Sequence, residues 1–210
     1  MQYSRRRYYD LFSHFYDMFI ALHSLRDEQS TREILVDSAQ LEGIAKPYIL
    51  DICCGTGSLI LTFAKRYPKS TAVGLDFSHG MLRKAKKKNP NQKALFIEAD
   101  AALLPFSNDI FDVVACSYAL YELKGAVRTD ALKEMKRVVK PGQASVLIME
   151  HEAPKHPIVR FLFKIRMILV GSTDVRALLG AGLEPFKKIF SKVHLLHTPS
   201  GKSRLLRCIK

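Results

Sequence analysis

Three observations predict an α/β fold, a parallel sheet with helices on both faces. Short apolar runs bounded by turn signals alternate with segments of about ten residues at helical spacing. A glycine-rich loop joins the first such run to the first such helix. Two strand-like runs flanking Thr198-Pro-Ser-Gly201 read as a hairpin that closes the sheet.

The elements follow in order. Residues 8–22 set Leu11, Phe12, Phe15, Phe19 and Leu22 on one helical face. YILDICC (48–54) is a buried strand, and Ser58 to Tyr67 is a helix stopped by Pro68. TAVGLDF (71–77) is the second strand, and MLRKAKKKN a helix ending at Asn89-Pro90. KALFIEAD (93–100) and FDVVACS (111–117) are the third and fourth strands. Helical spacing returns at Ala131, Leu132, Met135, Val138 and Val139, before Pro141-Gly142. ASVLIMEH (144–151) is the fifth strand. TDVRALLGAGL (173–183) reads as a short helix, and KKIFSKVHLLH and KSRLLRCIK as the hairpin strands. The chain is thus expected to be a single domain over 1–210. It comprises an N-terminal helical lid (8–35), a cofactor-binding core (48–150), a substrate-side insertion (152–172) and a last helix with closing hairpin (173–210).

With 48% hydrophobic and 25% charged residues, the 210-residue chain supports a sizeable core, against disorder or fibrous repeats. Thirty-three Lys and Arg against 20 Asp and Glu give a net charge of +13. Most of the excess lies in residues 151–210, where twelve basic side chains face three acidic ones. Such a charge favours anionic partners without specifying a fold. Cys53, Cys54, Cys116 and Cys208 form neither a disulfide framework nor a zinc pattern, so a reducing compartment is expected and no metal. The first ten residues are not followed by an apolar signal region. The apolar run Ile158–Val170 is broken by Arg160, Lys164 and Arg166 and falls short of the roughly 20 residues of a spanning helix. A cytoplasmic protein is expected, with the possibility of peripheral attachment to an inner membrane face.

The chemistry concentrates at the loop Asp51-Ile-Cys-Cys-Gly55-Thr-Gly57. Glycines let backbone approach a ligand closely, and the following helix N-terminus presents free N–H groups. Asp76, ending the second strand, suits both hydroxyls of a ribose. A dinucleotide loop needs G-x-G-x-x-G, whereas here Ser58, Leu59 and Ile60 follow Gly57. A carboxylate at Asp51 would repel a pyrophosphate but suits the cationic amino-acid end of S-adenosylmethionine, directly or through water. Asp100, closing the third strand, can accept from an adenine amine. The competing reading of these aspartates is as helix caps and turn residues.

At this point the chain resembles the class I S-adenosylmethionine-dependent methyltransferases, in the ubiquinone/menaquinone-biosynthesis (UbiE-like, methyltransferase 11) group. The matching segments are YDLFSHFYD, ILDICCGTG, VGLDFSHGML, EADAALLPFSNDIFDVV, SYALYEL and ALKEMKRVVKPG, in that order over residues 8–150. The resemblance implies a Rossmann-like, doubly wound, seven-stranded mixed sheet with the last strand antiparallel. By position it implies that Asp51, Gly55 and Gly57 hold the methionine end and that Asp76 binds the ribose. Phe77 would lie against the adenosine, Asp100 and Ala101 would meet the adenine, and Ser117 would line the floor. Met81, Cys53 and Tyr16 complete the expected cofactor-binding set, with Tyr16 and His14 closing over it from the N-terminal helix. Cys53 departs from the family, which has glycine there, and the segment after residue 150 matches it poorly.

Methyl transfer from a sulfonium is an in-line displacement, in which positioning supplies roughly 7–11 kcal/mol. A neutral oxygen or carbon acceptor needs a base. Candidates at the strand ends are Tyr121, Glu122, Glu150 and His151, of which His151 and Tyr121 are the expected catalytic pair. Residues 152–172 read either as an interfacial helix touching anionic lipid or as a packing helix with snorkelled Lys and Arg. The expected activity is methyl transfer to a small, lipophilic or membrane-associated acceptor, such as a phospholipid headgroup or a quinone-like ring. Alternatives are a soluble metabolite, RNA, or a non-catalytic cofactor-binding module; DNA is not an expected partner.

Overall fold

The computed structural model describes residues 27–152, 182–199, 201 and 203–210. The helix expected over 8–22, with His14 and Tyr16, lies outside the described residues. So do residues 153–172 of the insertion and nearly all of the helix expected over 173–183. Elements within the described residues run α1 (Asp27–Asp37), β1 (Tyr48–Ile52), α2 (Ser58–Arg66), β2 (Thr71–Asp76), α3 (His79–Lys87) and β3 (Leu95–Glu98). They continue with β4 (Val113–Ser117), α4 (Ala126–Val138), β5 (Ser145–His151), α5 (Glu184–Lys187), β6 (Lys192–His197) and β7 (Ser203–Ile209).

The strands form one seven-stranded sheet in the order β3-β2-β1-β4-β5-β7-β6. β1 to β5 pair in parallel, while β7 runs antiparallel to both β5 and β6. The expected mixed, Rossmann-like sheet with a reversed last strand is what the chain adopts. β1 and β4 are apolar almost throughout because parallel strands are covered on both faces. Ile49, Val113, Ala115, Leu147 and Leu205 pack with Leu35 of α1 and Ile60 and Phe63 of α2. Leu50, Val114, Cys116, Ile148 and Leu206 face the other way, onto Leu132 and Met135 of α4 and Phe186 of α5. Alternation along each strand therefore feeds two cores, one per face. Among the described residues no helix is long and apolar enough to cross a membrane.

Two expectations need correction. The fourth strand begins at Val113, because Phe111 leaves the β1 ladder for an isolated bridge to Val139. The first hairpin strand begins at Lys192 rather than Lys187, because Glu184–Lys187 forms a helical turn with Pro185 at its start, burying Phe186.

The strand order reverses between β1 and β4, the place where open α/β sheets bind ligands beyond the carboxyl ends of their strands.

Candidate active site at the carboxyl edge of the sheet

The loop after β1 turns sharply. Cys54 donates its N–H to the Leu75 carbonyl at 3.0 Å, and Gly57 to that of Cys54 at 2.9 Å. Gly57, at φ 77°, starts α2 with no side-chain cap, so the N–H groups of the first turn stay available. A β-carbon on Gly57 would stand 2.9 Å from Phe96 Cε1 and 3.0 Å from the Ala85 methyl, so only glycine fits. Gly55, at φ 54°, has nothing within 4 Å of its β-carbon position. Cys53 takes φ 57°, the left-handed conformation that glycine adopts freely and a β-carbon resists by about 1–2 kcal/mol. The loop keeps glycine geometry at a residue that is not glycine.

Asp76 ties this loop to β2. One carboxylate oxygen accepts from Gly55 N–H and the other from Ser78 N–H, both at 2.9 Å. Ser78 caps α3 by accepting from Met81 N–H at 3.2 Å. Asp51 lies two residues deeper, since β1 and β2 pair Asp51 with Gly74 and Ile52 with Leu75. It is only 1% exposed, and among the described residues neither carboxylate oxygen has a hydrogen-bond partner of full geometry, the Ile60 N–H being the donor that stands near. Burial pushes its carboxyl well above the usual range, and the charge of Asp76 adds to the shift. The Ile60 N–H in the first turn of α2 and Arg32 pull it back partway. Asp100 stands two residues past β3, with one oxygen accepting from Ala102 N–H at 2.9 Å; Ala101 beside it is buried. The structure thus brings Asp51, Asp76 and Asp100 to one edge, with Phe77 half-buried and Met81 buried beside them.

These residues fit S-adenosylmethionine. The Asp51 oxygens, orphaned among the described residues, call for a cationic donor, the open side of Gly55 accommodates close approach, and the Asp76 carboxylate is of the acceptor type that ribose hydroxyls need. Asp51, Cys53, Gly55 and Gly57 would hold the amino-acid end, Asp76 and Phe77 the ribose, and Met81, Asp100 and Ala101 the adenine. Ser117, half-buried at the end of β4, would form the floor.

Across the switch point, the expected catalytic pair meets. The His151 ring stacks on Tyr118 at 4.5 Å between centroids and lies 6.0 Å from that of Tyr121. Tyr118 is a residue that sequence reasoning missed. It sits at φ 53°, its N–H donates to the Met149 carbonyl at 2.8 Å, and its hydroxyl shares a 2.6 Å hydrogen bond with Ser203 Oγ. Strain held by several anchors is typical of functional sites. Beneath the loop, the Leu120 peptide is clamped on both sides. Glu150 accepts from its N–H at 2.9 Å, and Arg128 Nε donates to its carbonyl at 2.9 Å. Lys88, which the sequence places at the end of a lysine-rich solvated helix face, instead donates from Nζ to Thr56 Oγ1 at 2.8 Å and fixes the glycine loop from behind. A groove of about 480 Å³ between α3 and β3, lined by residues such as Arg83, Lys86 and Phe96, opens elsewhere and holds none of the expected site residues.

Comparison with known proteins agrees with this geometry. The family described as "Methyltransferase domain" matches residues 49–142. The demethylmenaquinone methyltransferase of Lactobacillus johnsonii is 32% identical over 177 residues, covering 82% of this chain and 70% of that one. That of Chlamydia caviae is 36% identical over 127 residues, covering 59% of this chain but only 54% of its own length. Among solved structures, an S-adenosylmethionine-dependent methyltransferase from Aquifex aeolicus superimposes with a TM-score of 0.60 at 15% identity, covering 85% of this chain and 88% of that one.

Proposed function

The chain belongs to the class I S-adenosylmethionine-dependent methyltransferases, in the UbiE-like group, and from that membership we propose that it methylates a planar, lipophilic, quinone-like ring. The observation that carries this reading is the aromatic wall of Tyr118, His151 and Tyr121 at the ends of β4 and β5. These rings, inclined by 33° and 49° to one another, offer aromatic faces against which a planar acceptor can lie and be oriented. Relatives that act on demethylmenaquinone support the same class.

S-adenosylmethionine, when bound, supplies a methyl group on a sulfonium centre. The chain's own work is positioning. Asp51 holds the cationic amino-acid end and Asp76 the ribose, while Gly55 and Gly57 keep the backbone close enough to fix both. Tyr118 and Tyr121 set the acceptor ring. His151 takes the proton that the ring loses on methylation, since imidazole exchanges protons near neutral pH. The Glu150–Leu120–Arg128 clamp keeps the tyrosine-bearing loop in register. We extend the proposal to residues 152–172 as a lid or an anionic-membrane contact, largely outside the described residues.

The test incubates the protein with methyl-labelled S-adenosylmethionine and a whole-cell extract, then partitions the label. Label in the organic phase, absent with Asp76→Ala, is expected. Label confined to the aqueous phase would transfer the proposal to a soluble metabolite, and label in RNA would overturn it.

A further inference from the structure

Three charged side chains converge under the carboxyl edge of the sheet, on the face covered by α4. Glu150 is the penultimate residue of β5, and Arg204, the second residue of β7, pairs with it in register. Arg128 reaches the same place from the first turn of α4. Glu150 is 2% and Arg204 8% exposed. Glu150 uses one oxygen on the Leu120 N–H, and Arg128 uses Nε on the Leu120 carbonyl. Arg204 Nε, Arg204 Nη2 and Arg128 Nη2 are buried with no hydrogen-bond partner among the described residues.

Two guanidinium groups therefore share a single carboxyl. A guanidinium stays protonated throughout the accessible pH range, so the cluster keeps excess positive charge whether Glu150 is ionised or not. Burial raises the Glu150 carboxyl to about 8 despite Arg204 and Arg128, which leaves it largely neutral at pH 7 and the excess larger. Buried, unpartnered donors of this charge are a standing cost unless something anionic meets them.

The cluster adjoins the aromatic wall. Arg204 follows Ser203, whose hydroxyl bonds Tyr118, and Glu150 precedes His151, which stacks on Tyr118. Ser203 and His151 alternate to the opposite face of the sheet, and Tyr121, packed against the α4-side core with its ring 6.0 Å from that of His151, is the part of the wall on the guanidinium side.

We propose that Arg204, supported by Arg128, binds an oxyanion carried by the ring of the methyl acceptor, a carboxylate substituent or an ionised phenol hydroxyl. The inference rests on the ring-acceptor reading above and makes the acceptor an acidic aromatic rather than a neutral one. The planar fork of Arg204 matches a delocalised oxyanion with two parallel N–H groups.

Three fluorescent probes test it, titrated into the full chain with S-adenosylhomocysteine present: 2-naphthoate, 2-naphthol at pH 7 and at pH 10, and neutral naphthalene-2-carboxamide. The wild type should bind 2-naphthoate, or 2-naphthol at the higher pH, at least about tenfold more tightly than the carboxamide. A gain for the first assigns a carboxylate, and a gain confined to the second a phenolate. Arg204→Met should abolish that preference and leave carboxamide binding unchanged. Without ligand, Arg204→Met should melt at the same temperature as the wild type or higher, because it removes an unpaired buried charge. Binding of 2-naphthoate and of 2-naphthol at pH 10 no tighter than that of the amide by the wild type would overturn the oxyanion site and leave the ring reading standing. Binding of no probe would overturn both. A melting temperature several degrees lower in Arg204→Met would make the arginine structural and also overturn the proposal.

Discussion

Replacing Glu150 with glutamine removes a titrating group while keeping an oxygen for the Leu120 N–H. The folded carboxyl titrates near 8 because burial strips its solvation, against an ordinary value of 4.5. Below about pH 4.5 the group is protonated in both states, and its contribution to stability is fully present. As pH rises towards 8 the unfolded chain ionises and the folded one does not, so each pH unit lowers the folding equilibrium about tenfold. Between pH 6.0 and 7.5 the wild type should therefore lose roughly 2 kcal/mol more than Glu150→Gln. Urea denaturation followed by circular dichroism at the two pH values measures this. Parallel stability curves would refute the reasoning. Such parallel curves would mean that Arg128 and Arg204 keep the carboxyl ionised in the folded state as in the unfolded one, opposite to the burial argument.

Asp51→Asn should raise the melting temperature of the ligand-free chain, since burial penalises an ionised carboxyl and an amide carries no charge. The same variant should bind S-adenosylhomocysteine at least about tenfold more weakly by calorimetry, about 1.4 kcal/mol. At Cys53, φ 57° should invert the usual ranking. Cys53→Gly should be about 0.5–1 kcal/mol more stable than Cys53→Ala in chemical denaturation, whereas glycine ordinarily loses to alanine. Gly57→Ala adds a β-carbon 2.9 Å from Phe96 to a left-handed backbone, while Gly142→Ala, at φ 89°, meets nothing within 4 Å. Both should lose the conformational cost, but Gly57→Ala should lose about 1–3 kcal/mol more by thermal unfolding.

What could be read in the sequence was what local pattern encodes. β1, β2, β4 and β5 are near-continuous apolar runs because both faces of a parallel sheet are covered. Asp51 and Asp76 stood out as acidic residues closing such runs. The geometry expected at Cys53 was legible only by analogy, since nothing about a cysteine announces φ 57°. The helical turn at Glu184–Lys187 was hidden by the apolar Ile189-Phe190 that follows, which resembles the start of a strand. Glu150 was visible as a charge in an apolar run, but its partners were not. Arg204 lies 54 positions away and reaches it only through the register of an antiparallel strand, which no local period specifies. Tyr118 escaped for a related reason: its anchors, Met149 and Ser203, are both distant in sequence.

The position of β7 between β5 and β6 imposes an order on assembly during synthesis. β6 leaves the ribosome before β7, yet its ladder is made with β7, so it waits unpaired until the later strand arrives. β1 to β5, with the glycine loop and the three aspartates, have all their mutual ladders among strands translated before β6. A nascent chain can thus form the nucleoside-side half of the edge while its other half is still missing Ser203 and Arg204. The last strand delivers the Tyr118 anchor and the buried guanidinium in a single docking event, so the acceptor side is completed only when the sheet is.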